Sequence, residues 1–512
     1  MNIPEKYCKL IMIVLQSVMA LSLCDASTAL ADLPWEMTHK FLAEDAIGGA
    51  WFGTSVDMSD NLAVIGAERD NNGINFGSAY IFDVTTGRQL TKLVAADSVN
   101  GDRFGHAVAI SGNLAVVGAP FDDDNGSDSG SAYIFDVTTG QQLFKLLASD
   151  GTNFDFFGCS VAIDGNIVLI GAEGRDGHDG NETNSGTAYV FDVTSGMQIF
   201  EFFRNDERAF DSFGSSVALS GNFAVIGALG TDDNISNSGS AFIFDVTTGH
   251  QLKKLLASDG AQGDFFGTSV AIKGNLVVIG APLHNDKGTN SGAIYVFDTT
   301  SGEQLFKLLA DDGASEDQLG NSVSVSGNMA IAGAPSDQDN GRLSGSAYAF
   351  DLATGEQLFK ILPADGNESD EFGNSVSICG DLMVVGAIFG DGDIPSSGSA
   401  YVFRKNIDKL AVLPDPLISG QDGTFFIIHT LPEERTWLLY SLDGLQQSFL
   451  RQLNVIIDLA NPKLVLGPRR TDDKGDLQLI LPLPDTQSPL PVWFQVVQQR
   501  NVTNFVASQL IP

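Results

Sequence analysis

Cysteine is nearly absent from this chain: four of 512 residues. Two of them, Cys8 and Cys24, fall in the first 31 residues. The other two, Cys159 and Cys379, sit at unrelated positions in different copies of the repeat described below. No disulfide framework can be built from that pair, and no CxxC occurs. Histidine is equally sparse at six, with no HExxH or other paired metal-ligand spacing. Basic residues number 28 against 64 acidic, a net charge of −36, which argues against nucleic acid or an anionic membrane as the partner. No GxSxG elbow or Walker loop is present. Beyond the first 31 residues no apolar run is long enough to span a bilayer.

The one long apolar run, "LIMIVLQSVMALSL", follows Lys6 and Lys9 and precedes the small residues "ALA" at 29–31. This is the pattern of a signal peptide over 1–31, cleaved before Asp32, so the expected location is secreted or cell-surface, periplasmic or extracellular.

Glycine, at 56 residues, is abundant, and its distribution is periodic. Phe-Gly or Leu-Gly pairs begin at 52, 104, 157, 213, 266, 319 and 372, and a Gly-Ala pair follows each. Self-similarity at about 53 residues marks a repeat architecture. Within a copy the apolar residues alternate with period two, which means strands. "FGTSVAI" and "LVVIGA" are joined by the tight turn "GN". A polar loop leads to a third strand such as "GSAYIFD", and "VTTG" turns into a fourth, "QLFKLLA". Four antiparallel strands in seven copies predict a seven-bladed β-propeller over 32–405. The fourth-strand phrase follows only six of the copies. "KFLAEDA", beginning at Lys40, resembles it and precedes the first Phe-Gly. A strand over 40–45 is therefore expected to complete the last blade and remove its open edge.

The phrase from Phe266-Gly267 to Gly280-Ala281-Pro282 resembles the FG-GAP repeat of the integrin α-subunit propeller, and "GAP" is also complete at 118–120 and 333–335. The resemblance implies a non-enzymatic binding or adhesion protein. It carries no calcium site across, because the interval that holds an Asp-rich loop in several integrin repeats holds only a hairpin turn here. "YIFDVTTGQQLFKL" also resembles the quinoprotein propeller repeat, which implies a quinone-dependent dehydrogenase as the alternative. The tryptophan and vicinal cysteines of that family are missing. A structural surface protein without a specific ligand is the third reading.

Strand order sorts the connections. Both short turns emerge on one face, while the second-to-third loops and the blade-to-blade links emerge on the other. Those longer connections hold most of the acid. Candidate metal ligands are Asp122, Asp124 and Asp128, then Asp176, Asp179 and Glu182, then Asp391 and Asp393. Hard oxygens among glycines suit calcium, the one candidate cofactor. The expected partner at this acidic face is a protein or a glycan, bound by a monomer. The recurring Asp of "FDVTTG" (Asp83, Asp136, Asp192, Asp245, Asp298, Asp351) is expected to cap its own turn. After a linker at 406–416 the repeat ceases, and short apolar runs over 417–512 predict a small immunoglobulin-like β-sandwich.

Overall fold

The computed structural model describes residues 35–405, apart from 71–75, 178–182, 205, 207, 233–234 and 393, together with the backbone of six strands between 424 and 495. The expected signal peptide and linker lie outside the described residues.

Seven four-stranded antiparallel sheets make a propeller. Strand β1 (Trp35–Phe41) comes first, and blade 1 follows as β2 (Phe52–Ser59), β3 (Leu62–Ala67), β4 (Ser78–Asp83) and β5 (Arg88–Leu93). Blades 2 to 6 repeat that order over 108–146, 157–202, 213–255, 269–308 and 322–361. Blade 7 supplies Phe372–Cys379, Leu382–Ala387 and Ser399–Lys405, and β1 lies on its outer edge beside the last of these. The strand expected over 40–45 thus ends at Phe41 and begins earlier. Residues 42–45 form the link to blade 1, because they correspond to the segment ending in Asp that follows each fourth strand, "LASD" in blades 2 and 4.

Each middle pair of strands is buried on both faces. Ala115, Val116 and Val117 are 0 % exposed, as are Ala132, Tyr133 and Ile134 opposite them. Between the first two strands, the Gly of "KGN", Gly274, has φ +57°, and the Asp of the blade 1 turn, Asp60, has φ +51°. Positive φ is what a two-residue primed turn demands.

The Phe-Gly pair breaks the first strand rather than extending it. In blade 3 the ladder jumps from Phe157↔Ala172 to Ser160↔Gly171. The displaced Phe, replaced by Leu319 in blade 6, makes a parallel bridge to a glycine of the preceding blade, and seven such bridges, ending with Phe52↔Gly398, run round the ring. Its ring packs edge-on against a third-strand aromatic, as Phe104 does on Tyr133 at 5.4 Å. Glycine is required where neighbouring sheets meet. A Cβ on Gly280 would lie 1.9 Å from the carbonyl oxygen of Gly320, itself at φ +91°. Gly280 and its counterparts are scaffold.

First strands line a central channel of about 650 Å³. Serine hydroxyls bind across it from blade to blade, for example Ser160 to the Gly214 carbonyl at 2.7 Å and Ser375 to Gly53 at 2.8 Å. Asp60 and Asp164 lie at the ends of these strands, and a further carboxylate stands among the serines. Asp57 occupies a position held by Ala or Ser in the other six blades. It accepts hydrogen bonds from the Ile110 amide at 2.8 Å and the Ser377 hydroxyl at 3.0 Å. Burial nevertheless raises its pKa to about 6. The folded state therefore binds more protons than the unfolded state between about pH 4 and 6, so stability from this group falls as pH rises through that window. Asn at position 57 keeps an acceptor and removes the charge. Asp57→Asn is expected to gain about 2 kcal/mol at pH 8 and nothing at pH 4, measured by urea unfolding at both values.

In the C-terminal region the backbone forms three separate antiparallel pairs: Thr424–Leu431 with Glu434–Ser441, Gln447–Leu450 with Val455–Asp458, and Asp476–Leu481 with Leu490–Gln495.

Candidate functional site

The second-to-third loops and the blade links share one face, and the candidate acids lie there in different states. Asp122 is buried and Asp124 exposed, and both converge on Lys145 Nζ, at 3.0 and 2.5 Å. Asp128, at φ +51°, instead donates its amide to the Asp123 carboxylate at 2.8 Å. Asp176 accepts from the Asn184 amide at 3.1 Å, and Asp391 from the Ser396 amide at 2.8 Å. These two organise their own loops. Asp179, Glu182 and Asp393 lie outside the described residues.

The lysine at the centre of the first group is the least obvious feature of the sequence. It belongs to the fourth strand, where "QLFKLL" places it on the side of the sheet facing the loop. Its third ligand, Asp97 at 2.7 Å, comes from the link that precedes the blade. Lys145 thus ties a link, a loop and its own strand together. Tyr133, paired with Lys145 in the ladder, directs its hydroxyl to Asp122 at 2.9 Å and Asp97 at 3.1 Å. Blade 6 repeats the cluster: Lys360 meets Asp312, Asp337 and Asp339 at 2.9, 2.7 and 2.6 Å. In blade 1, Lys92 meets Asp45 and Asp70 at 2.5 and 2.6 Å.

A cation-to-link-aspartate pair of 2.5–2.9 Å recurs at every blade junction, including the closing one, where Lys40 of β1 meets Asp365. Blade 3 reverses the arrangement. Glu201 stands at the lysine position and Arg175 at the loop-acid position, and the arginine reaches the link Asp150 at 2.7 Å. A charge exchange between two positions that preserves the pair is good evidence that the pair matters.

The electrostatics follow from this packing. Burial works against the charge of Lys145, but hydrogen bonds to Asp124, Asp97, Tyr133 and Asp122 outweigh it and hold its pKa above the ordinary lysine value. Asp97 is held low: burial opposes its charge, and Lys145 more than compensates. Behind each cluster a second link aspartate is more deeply placed. Asp102 caps the Val99 amide at 2.7 Å and Asp317 the Ala314 amide at 2.6 Å, yet burial lifts both to a pKa of about 6. These are link-folding residues.

Blade 5 carries a variant. His284 occupies the loop-acid position, and one ligand atom each from Asp259, His284 and Asp286 lies within a 4.8 Å group, the one such His/Cys/Asp/Glu group among the described residues. A divalent cation could be chelated there.

On the opposite face the repeated Asp behaves as a turn cap. Asp83 accepts the Thr85 and Thr86 amides at 2.8 and 3.1 Å, and Asp298 the Thr300 and Ser301 amides at 3.0 and 2.8 Å. Cys159 and Cys379 are free and partly buried. Among the described residues no helix is long and apolar enough to cross a membrane.

Sequence reading missed the lysine ring and the His284 group. The signal was available: Lys and Asp recur five residues apart in "KLLASD" and its variants, and where Lys becomes Glu201 the loop acid becomes Arg175.

No curated protein matches the chain. The FG-GAP repeat family matches over 35–82, 88–135, 141–191, 198–244, 250–297, 303–350 and 356–403. FG-GAP propellers of the integrin α type are non-enzymatic adhesion and scaffold domains. Seven matched repeats together cover most of the chain, each running from the outer strand of one blade through the three inner strands of the next, and the chain belongs to the FG-GAP repeat family.

Proposed function

We propose that this protein is an exported, non-enzymatic binding or adhesion protein that engages a protein or glycan through the acidic loop face of its propeller. One observation carries the reading: the long connections of all seven blades collect on one face and are pinned by side-chain cations, while the other face has only short turns. A rigid rim of variable loops suits recognition, because ordering cost is already met before a partner arrives. The segment 1–31 supplies export, and 417–512 a small β-sandwich appended after the ring. Calcium assistance belongs to loop acids outside the lysine clusters, such as the half-buried Asp128 and the exposed Asp391, since those of the clusters are engaged.

Asp123, Asp311, Glu368 and Asp391 are exposed acids of this face outside the lysine clusters. A variant with all four changed to Asn or Gln should keep the native melting curve and lose saturable binding on protein and glycan arrays probed with the full chain. A native protein with no saturable binding on either array would favour a purely structural role. Melts in calcium and in chelator test the metal part, with no shift counting against it.

A further inference from the structure

His284 is 5 % exposed, and its Nδ1 lies 2.9 Å from Asp264 Oδ2. Nδ1 donates to that carboxylate, and the Lys307 ammonium 2.7 Å from Nε2 selects the form with its lone pair there, Asp286 Oδ1 lying 3.2 Å from the same nitrogen. That lone pair faces Asp259 and Asp286 at the mouth of the blade 5 loop. We infer that Asp259, His284 Nε2 and Asp286 form a native site for a borderline divalent cation of the zinc type, held in competition with the ammonium of Lys307.

Three observations carry this. The donor set is one imidazole nitrogen and two carboxylates, three ligands that leave a position open for water, which zinc accepts. Calcium, which needs six to eight oxygens, is poorly served by it. Next, Asp264 stands behind the imidazole as the outer carboxylate that orients metal-binding histidines. It is 1 % exposed, caps the Ala261 amide at 2.7 Å as Asp102 and Asp317 cap theirs, and keeps a second buried oxygen, Oδ1, without a hydrogen-bond partner. Finally, a cation already sits at the focus. Lys307 Nζ is 2.5 Å from Asp259 and 2.7 Å from His284 Nε2, and also bonds Asp286.

The comparison with blades 2 and 6 explains why the balance tips here. Their lysines meet three carboxylates each, an oxygen set that matches the three donors of an ammonium. In blade 5 a neutral nitrogen replaces one of those carboxylates, which weakens the hold on lysine and favours a metal that binds nitrogen. Asp259 and Asp286 are 44 % and 48 % exposed, and Lys307 ends a flexible four-carbon arm. Its ammonium can leave for solvent without backbone movement, opening the entry path.

The test is calorimetric titration of the chelator-treated full chain with zinc chloride, then calcium chloride, at neutral pH. The native protein should bind one zinc, and millimolar calcium should not displace it. Lys307→Met should tighten zinc at least tenfold, and His284→Asp, which restores the residue of blades 2 and 6, should abolish binding while keeping the native circular dichroism and melt. No zinc bound by the native chain, zinc bound only after Lys307 is replaced, or binding unchanged in His284→Asp would each overturn the assignment.

Discussion

Lys145→Met is expected to destabilise the propeller by about 3 kcal/mol, read as a lower urea midpoint. Asp97 and Asp124 are half exposed and would return to water at little cost. Asp122 could not, because it is 3 % exposed and would lose its counter-charge. Stranding one buried charge is the costly event, so the double variant Lys145→Met with Asp122→Asn should recover most of the loss. The pH dependence has a definite sign. Asp97, held below its ordinary pKa, contributes stability above about pH 4 that is lost as pH falls through its folded value. Lys145, held above its ordinary pKa, contributes below about pH 10 and loses this as pH rises through its folded value. The penalty of Lys145→Met should therefore be full at pH 7 and small at pH 3. An equal penalty at both values would show that packing of the lysine stem, not the ion pair, carries the effect.

Phe41→Ala is expected to cost about 4 kcal/mol, the range for removing a fully buried aromatic side chain. Phe41 is the last residue of β1 and 1 % exposed. It packs with Val384 and Val402 of blade 7 and with Phe52, Tyr80 and Phe82 of blade 1, stacking on Phe82 at 4.4 Å. One side chain thus fills the joint where the ring closes. Deleting residues 35–41 also removes the Lys40–Asp365 pair and uncovers the edge of Ser399–Lys405. That deletion should yield no cooperative unfolding transition, or an oligomer paired through the exposed strand. A monomeric deletion variant with a native urea midpoint would show that the ring does not depend on its closing strand.

Most of the ring was legible because propeller strands obey local rules. Period-two alternation, Gly-Asn turns and Asp-capped turns each depend on residues within a few positions, and "FGTSVAIKGNLVVIGAP" contains all the information its hairpin needs. The expected start of β1 lies five residues late and its expected end four, because "KFLAEDA" joins the end of a strand to the start of a link. Register there is set by pairing with Ser399–Lys405, more than 350 positions away. The face was legible too, since strand order fixes which connections share it. What each acid does there was not. Asp122 and Asp128 look alike in "DDDNGSDSG", yet one is buried against a lysine from the far strand and the other is only half-buried, with its amide bound to Asp123. That difference depends on which side of the loop faces the fourth strand, which spacing alone does not encode.

The closing strand also decides how the molecule bears load. Thr38 reaches the Val402 carbonyl and Lys40 lies over the Tyr401 ring, so β1 and Ser399–Lys405 run in opposite directions, with Trp35 and Lys405 at the same end of the pair. That end belongs to the short-turn side, so the chain enters and leaves the ring away from the acidic loops. Tension applied through the two ends would peel this pair one hydrogen bond at a time instead of shearing all of them together. The ring should therefore yield first at its seam, with Lys40–Asp365 and the stacked Phe41 as the last fasteners to give way. A single-molecule pull on the two ends should begin with a low-force step in which β1 detaches, before any whole blade unravels.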